Sequence, residues 1–416
     1  MACLWNGVSP MPADPILGVK EAYKRDTSDK KINLSVGAYR DDQGQPWVLP
    51  SVRIAERAIA ADESLNKEYQ PVQGHAAFCE RSAAFALSPE SPAIKENRVC
   101  AVQTLSGTGS LRVAAETLTR VFGVNAVWIP NPTWGNHKKI FGHAGMKVNS
   151  YTYLDEATGT TLDFDGMVAD IKANCPDGSV VLLHSCAHNP TGIDPTNQQW
   201  DEIAAVFLQK QLTPIFDTAY QGFASGDPDV DAYSIRSFER KGIFPIVCQS
   251  FAKNMGLYGE RVGVTLFVCE STQQRDALMT QVKGNVVRPM YSSPPLHGAR
   301  IASMILGDEA LNKSWRDDLR KMSERVRSMR GALRSALLKH GVPCPSFKGE
   351  DAWRHVTDQI GMFTYTGMKP HHVDAMRERF HIYMTSNGRI SMAGLKPTNV
   401  DYMATAMKVV LQDPAN

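Results

Sequence analysis

The sequence lacks most of the features that would mark a specialised class. No uninterrupted apolar stretch approaches the roughly 20 residues a membrane-spanning helix needs, so no membrane association is expected. Lys and Arg number 45 against 43 Asp and Glu, a net charge of +2. That balance gives no footprint for nucleic acid or for an anionic membrane surface. The eight cysteines include no CxxC pair and no finger-like spacing. Several lie inside apolar runs, which points to reduced, buried thiols rather than a disulfide framework. GxxxxGK[ST] is absent, and GTGSLR puts Arg112 where a dinucleotide fingerprint needs its third glycine. The opening MACLWNGVSPMPADP has neither an apolar signal core nor an arginine, and the closing DPAN is no peroxisomal address. A cytoplasmic location is the expectation these absences leave.

What remains is an ordinary globular composition, 43% hydrophobic and 21% charged over 416 residues, long enough for two or three domains. Residues 1–13 read as an arm. From about residue 98, short apolar runs alternate with amphipathic stretches. Seven candidate strands follow: Arg98–Leu105, Ala126–Ile129, Lys147–Tyr153, Ser179–His184, Thr213–Phe216, Phe244–Gln249 and Gly263–Val268. Helical segments such as Ser110–Phe122, Phe164–Ala173 and Asn197–Lys210 separate most of them. This alternation predicts an α/β fold with a mostly parallel sheet covered on both faces. After about Asp308 the texture changes to a long charged helix, Trp315–Leu338, and then a smaller α+β region. A domain boundary is placed inside that helix, near residue 326, and Ile32–Arg40 is expected to return to the C-terminal part.

Ligands of α/β sheets sit beyond the carboxyl ends of the strands, and the unusual polar residues fall there repeatedly. Ser106-Gly107-Thr108 follows the first strand and opens a helix, where free N–H groups favour a phosphate. Asn189 sits in the turn after Ser179–His184. His184 and His188 have no third ligand nearby in sequence, so no metal is expected. Asp217 ends the next strand, with Tyr220 three residues later. Lys253 follows the strand after that, with Ser250 before it and Arg261 beyond. A lysine ending an apolar run is ordinarily a salt-bridged or snorkelling side chain. The ordered set argues otherwise. Pyridoxal phosphate needs an amine for its aldehyde, donors for its phosphate and an acid beside its pyridine nitrogen.

With these residues in place, the sequence closely resembles the class I, fold-type I aminotransferases, and within them the aspartate branch. The likeness runs from Asp14-Pro15-Ile16-Leu17 to Gly388-Arg389-Ile390-Ser391. It includes the blocks VGAYRDDQG, LSGTGSLR, NPTWGNH, HNPTG, FDTAYQGFASG, SFAKNMGLYGERVG, SSPPLHGARI and GMFTYTG. The resemblance implies a fold-type I transferase with a large pyridoxal-phosphate domain (47–326) and a small domain (14–46 and 327–416). By motif, Lys253 is similar to the lysine that forms a Schiff base with the cofactor and shuttles the proton. Asp217 is similar to the partner of the ring nitrogen, and Tyr220 with Asn189 to the pair at the ring oxygen. Ser106, Gly107, Thr108, Ser250 and Arg261 match the phosphate cradle, and Trp134 the indole stacked on the ring. His137, supporting Asp217, and His184 match the surrounding shell.

Tyr69 resembles a residue reaching the phosphate in a partner subunit, which implies a homodimer with shared active sites. Arg389 matches the clamp for the α-carboxylate, with Gly37 in the matching contact loop. Arg288 matches the arginine that crosses between subunits to the distal carboxylate. Paired guanidinium forks would select dicarboxylic amino acids and keto acids. The activity implied is reversible transfer of the amino group of L-aspartate to 2-oxoglutarate. The alternative is a broader enzyme that also accepts aromatic amino acids. Ser35, Phe251 and Ser293 depart from the family pattern, at positions expected near the pocket rim and the arginine loop.

Overall fold

The computed structural model describes residues 3–11 and 17–413. The expected arm is therefore described only over Cys3–Met11, which is exposed and forms turns without helix or strand. The matching stretch Asp14-Pro15-Ile16 lies outside the described residues.

Eleven strands can be numbered along the described chain: β1 Ile32–Asn33, β2 Val99–Leu105, β3 Ala126–Asn131, β4 Lys147–Thr152, β5 Val180–His184, β6 Thr213–Thr218, β7 Ile246–Ser250, β8 Val262–Val268, β9 Phe363–Tyr365, β10 Ile382–Tyr383 and β11 Arg389–Ser391. Seven of them form one sheet in the order β2-β8-β7-β6-β5-β3-β4. All neighbours in it run parallel except β8, which is antiparallel to both β2 and β7. The seven candidate strands are these seven, shifted by at most two residues at their ends.

The strands read as continuous apolar runs because both faces are covered. Every residue of β5, β7 and β8 is buried. Alternate side chains feed two separate cores. Val181, Leu183 and Val247 enter the larger one, while Val180, Leu182 and Cys248 enter the smaller, beneath the helix Ser106–Phe122. Local chemistry sets the helix ends. Thr196 and Gln199 form a reciprocal capping box at Asn197–Gln209, and Gly123 closes Ser106–Phe122 in the left-handed conformation, φ +66°.

Two small sheets complete the fold. β1 pairs in parallel with β10, so the segment from Ile32 does return to the C-terminal part, and β11 pairs antiparallel with β9. The charged helix is a single 31-residue element, Glu309–Lys339. Near its middle, Arg325 donates to the Asp42 carboxylate and to the carbonyls of Asp41 and Leu395. The early segment and the late one are thereby fixed to the same helix.

The carboxyl ends of β2, β5, β6 and β7 share one edge of the sheet. Because β8 runs the other way, its first turn opens at that same edge. That is how Arg261, directly before β8, joins residues that follow the ends of the other strands.

Candidate active site

A cavity of about 520 Å³ lies at this edge, in the range usual for a small-molecule site. Gly37, Ser106, Gly107, Thr108, Trp134, Asn189, Asp217, Tyr220, Lys253, Arg261 and Arg389 all line it. Three expected site residues do not. Ser250 is buried behind the wall, its Oγ 3.0 Å from Ser106 Oγ. Tyr69 is 85% exposed, and Arg288 is exposed with its guanidinium donating to Ser292 Oγ at 2.6 Å.

One end of the cavity is built for an anion. Leu105, the residue that caps the helix Ser106–Phe122, provides no side-chain acceptor, so no cap occupies the first N–H groups. Ser106 and Arg261 both hold positive φ, 60° and 55°, a conformation that side chains adopt at a cost and that is found at binding sites. At Gly107 a Cβ would stand 3.2 Å from Ser250 Cβ, so the close approach of the loop to β7 favours glycine.

At the floor, a chain of hydrogen bonds ends on Asp217. The carboxylate can only accept, so His137 Nε2 donates to its Oδ2 at 3.1 Å. His137 Nδ1 pairs with Thr133 Oγ1 (2.8 Å), and Thr133 Oγ1 accepts from His184 Nε2 (3.1 Å). His184 Nδ1 accepts from the Asn189 backbone N–H at 3.4 Å. The His184 ring, donating at one nitrogen and accepting at the other, is neutral in this arrangement. Burial, reinforced by His137, holds His184 down to about 3, against a weaker upward pull from Asp217. Burial pushes the Asp217 carboxyl up, but the His137 hydrogen bond and the nearby His137, His184 and Lys253 outweigh it and leave it lowered. An ionised carboxylate thus faces the cavity, suited to holding a proton on a ring nitrogen.

His137, His184 and Asp217 could also present three atoms to a metal within 4.8 Å of one another, a trio the sequence spacing of His184 and His188 did not indicate. Each of the three side chains is already engaged in the chain of bonds just described, which accounts for the cluster without an ion. The depressed histidine has a consequence for stability. Unfolded, His184 takes a proton near pH 6.5, whereas the folded side chain does so only near 3. The folded state therefore holds fewer protons between those values, and stability is expected to fall as pH drops from about 6.5 toward 3. The midpoint of urea unfolding, followed across that range in wild type and His184→Gln, checks this. The variant is expected to show the shallower pH dependence.

Lys253 is half-buried, its Nζ 5.3 Å from the centre of the Tyr220 ring. Burial lowers its pKa and Arg261 adds to the effect, against an upward pull from Asp217. Burial pushes the Tyr220 phenol up, so it keeps its proton.

Arg389, on β11, is buried, and no carboxylate pairs with it among the described residues. Its Nη1 donates to Asn189 Oδ1 at 3.2 Å and its Nη2 to the Ser35 carbonyl at 2.8 Å. Nε has no partner, and the guanidinium lies 4.1 Å over the Phe363 ring. A buried cation left without an anion is costly unless a ligand supplies one. Gly37 is needed beside it, since a Cβ there would meet Phe363 Cζ at 2.5 Å.

Pyridoxal phosphate fits this donor set: uncapped helix N–H groups and Arg261 for a phosphate, Asp217 for a ring nitrogen, Lys253 for a carbonyl. The matching profile, described as "Aminotransferase class I and II", spans residues 29–407. The chain belongs to this aminotransferase family. Its cofactor is pyridoxal phosphate. Similar curated relatives are the mitochondrial aspartate aminotransferases of Dictyostelium discoideum (47% identical) and Gallus gallus (49%). Each alignment covers 98% of this chain, and 93% and 94% of the relatives. Among solved structures, the aspartate aminotransferase of Saccharomyces cerevisiae cytoplasm has a TM-score of 0.94 at 41% identity, covering 98% of both chains. The aromatic-amino-acid aminotransferase of Burkholderia pseudomallei, covalently bound to pyridoxal phosphate, has 0.92 at 37%, covering 99% of this chain and 100% of that one.

These comparisons correct the expected cytoplasmic location, because the curated relatives are mitochondrial proteins. That expectation rested on missing features, among them a recognisable targeting segment, whereas the likeness extends over the aminotransferase body.

Sequence reasoning also missed parts of the aminotransferase site. Phe363, the platform under Arg389, sits inside the quoted block GMFTYTG but was assigned nothing. Tyr258 lines the cavity and accepts from the Tyr39 N–H at 2.8 Å. Gln103 is buried, donates to the Pro295 carbonyl and accepts from His75 N–H, so one side chain ties two loops to β2. Phe251 was expected near the rim and is instead in the core against Phe78 and Phe85.

Proposed function

We propose that this chain is an aspartate aminotransferase, moving the amino group of L-aspartate reversibly to 2-oxoglutarate to give oxaloacetate and L-glutamate. The buried, anion-free Arg389 beside Lys253 and Asp217 carries this reading. Pyridoxal phosphate, when bound, supplies a carbonyl for the amino group and a ring that accepts the electrons released at the substrate α-carbon.

The protein's residues do the rest. Arg389 binds the α-carboxylate through its unused N–H groups, and the Phe363 ring and Ser35 carbonyl fix its plane. Lys253, its pKa lowered by burial, would take the α-proton at Nζ and carry it for return on the far side of the transferred nitrogen. Asp217 holds the ring-nitrogen proton, with its orientation fixed by His137. Tyr220 stays protonated and donates to the ring oxygen alongside Asn189. Trp134 covers the ring face. Ser106, Gly107, Thr108 and Arg261 hold the phosphate, with Ser250 bracing Ser106 from behind. Two substrates using one site in turn give ping-pong kinetics.

Tyr69 and Arg288 are assigned to the site of a second copy in a homodimer. Their exposure in the single chain supports this, as do the uncovered Leu4, Trp5, Val8 and Met11. Residues 47–326 are assigned to the large domain, and 14–46 with 327–416 to the small one. A broader specificity that includes aromatic substrates is the second reading, favoured by the likeness to the Burkholderia enzyme.

An absorbance spectrum of the holoenzyme tests the function directly. The visible band should bleach on adding aspartate and return with 2-oxoglutarate; a band indifferent to aspartate would refute it. Shared sites predict that Lys253→Ala and Arg288→Ala, each inactive alone, regain activity when refolded together. A hybrid dimer then has one site with both lesions and one with neither, about a quarter of wild-type sites in a random mixture. Confirmed hybrids without activity would mean that each chain builds its own site.

A further inference from the structure

Beside the catalytic cavity lies a second one, of about 340 Å³, between the helix Leu17–Arg25, the segment 31–45 and the turn around Lys396. Its charged lining is entirely cationic: Lys20, Lys24, Lys31, Arg40 and Lys396. Lys20, Val36, Ala38 and Arg40 line both cavities, so the two are contiguous.

On a chain of net charge +2, such a concentration of one sign stands out. Three nearby acids are turned to other partners, and Glu21, beside Lys20 on the same helix, does not line the cavity. Asp26 accepts from His381 and Tyr383, Asp41 from the N–H groups of Gln43 and Gln45, and Asp42 from Arg325. None of the five cations has an ion pair among the described residues; Lys31 donates only to backbone carbonyls, and Arg40 to the Tyr39 carbonyl. One other arginine-lined hollow shows the contrast. Around Arg316, Arg236 and Arg320 each guanidinium meets an aspartate.

A cleft of one sign with low-dielectric walls focuses its field and concentrates counter-ions. We infer that this second cavity is a holding site for small dicarboxylate anions at the mouth of the catalytic cavity, which raises their capture over that of net-neutral amino acids. The inference rests on the dicarboxylate reading given above. Lys20 and Arg40, common to both cavities, form the passage between them.

The test uses the holoenzyme and the double variant Lys24→Gln/Lys396→Gln, whose residues line only the second cavity. At low ionic strength, kcat/KM for 2-oxoglutarate should be about tenfold lower in the variant, with kcat unchanged. Raising ionic strength from about 0.01 M to about 0.15 M shortens screening from about 30 Å to about 8 Å and should remove most of the difference. The half-reaction with alanine, net neutral, should be the same in both proteins. Equal kcat/KM for 2-oxoglutarate at low salt would overturn the inference, as would an equal loss with alanine. Succinate titrated calorimetrically separates this from failure of the proposed function. Two molecules should bind per wild-type chain and one per variant chain, whichever substrates turn over; equal stoichiometry would again overturn it.

Discussion

Lys253→Ala should fold normally, retain cofactor noncovalently, and lose transamination almost completely. A placed general base contributes about 10²–10⁴-fold, and loss of the amine that activates the carbonyl deepens the defect. The fold should tolerate the change, because Lys253 has no side-chain hydrogen bond or ion pair among the described residues, its Nζ lying 5.3 Å from the centre of the Tyr220 ring. Removing a buried amine removes a desolvation cost rather than a contact. Stability and activity should therefore separate: an unchanged denaturation midpoint beside a single-turnover rate near background. Borohydride reduction of the wild-type holoenzyme, followed by peptide mapping, gives the same assignment independently. A label on any other lysine would refute it. The lowered pKa adds a kinetic signature, since the limb reporting the free amine should lie below the usual lysine value of about 10.4.

The sheet was legible in the sequence because its strands are buried on both faces, and continuous apolar runs separated by amphipathic helices leave few other arrangements. The site was legible for a related reason. Chemistry in such sheets collects where strands end, so Ser106, Asn189, Asp217 and Lys253 could be read as a series. The rest depended on contacts remote in sequence. Nothing local to Phe363 says that it will lie under Arg389, or that Ser35 will offer its carbonyl to the same guanidinium. The two-residue strands β1 and β10 carry too little pattern to announce their pairing. Phe251 was misplaced because neighbours in a turn share a short stretch of sequence but point to different surroundings; Lys253 lines the cavity and Phe251 fills the core. The direction of β8, which brings Arg261 to the site, is a property of the whole sheet.

Arg288→Asp should cut kcat/KM for aspartate far more than for phenylalanine. The residue is exposed in the single chain, at the start of the short helix Arg288–Tyr291 that continues a π-helical turn over Val282–Val287. In the assigned dimer it would meet the distal carboxylate in a closed site. Removing one partner of a desolvated ion pair costs about 3–5 kcal/mol, a loss of about 150-fold or more, and placing an anion there adds repulsion. Phenylalanine makes no such pair, so its rate should fall much less. Arg389→Ala should damage both substrates alike, because both present an α-carboxylate to the guanidinium on the Phe363 platform. The measurement is kcat/KM for both amino acids in wild type and in each variant. Equal losses in Arg288→Asp would show that this residue does not read the substrate side chain. Selectivity would then move to Arg40 and Lys20, the cations that line the catalytic cavity from within the same chain and lead into the second one.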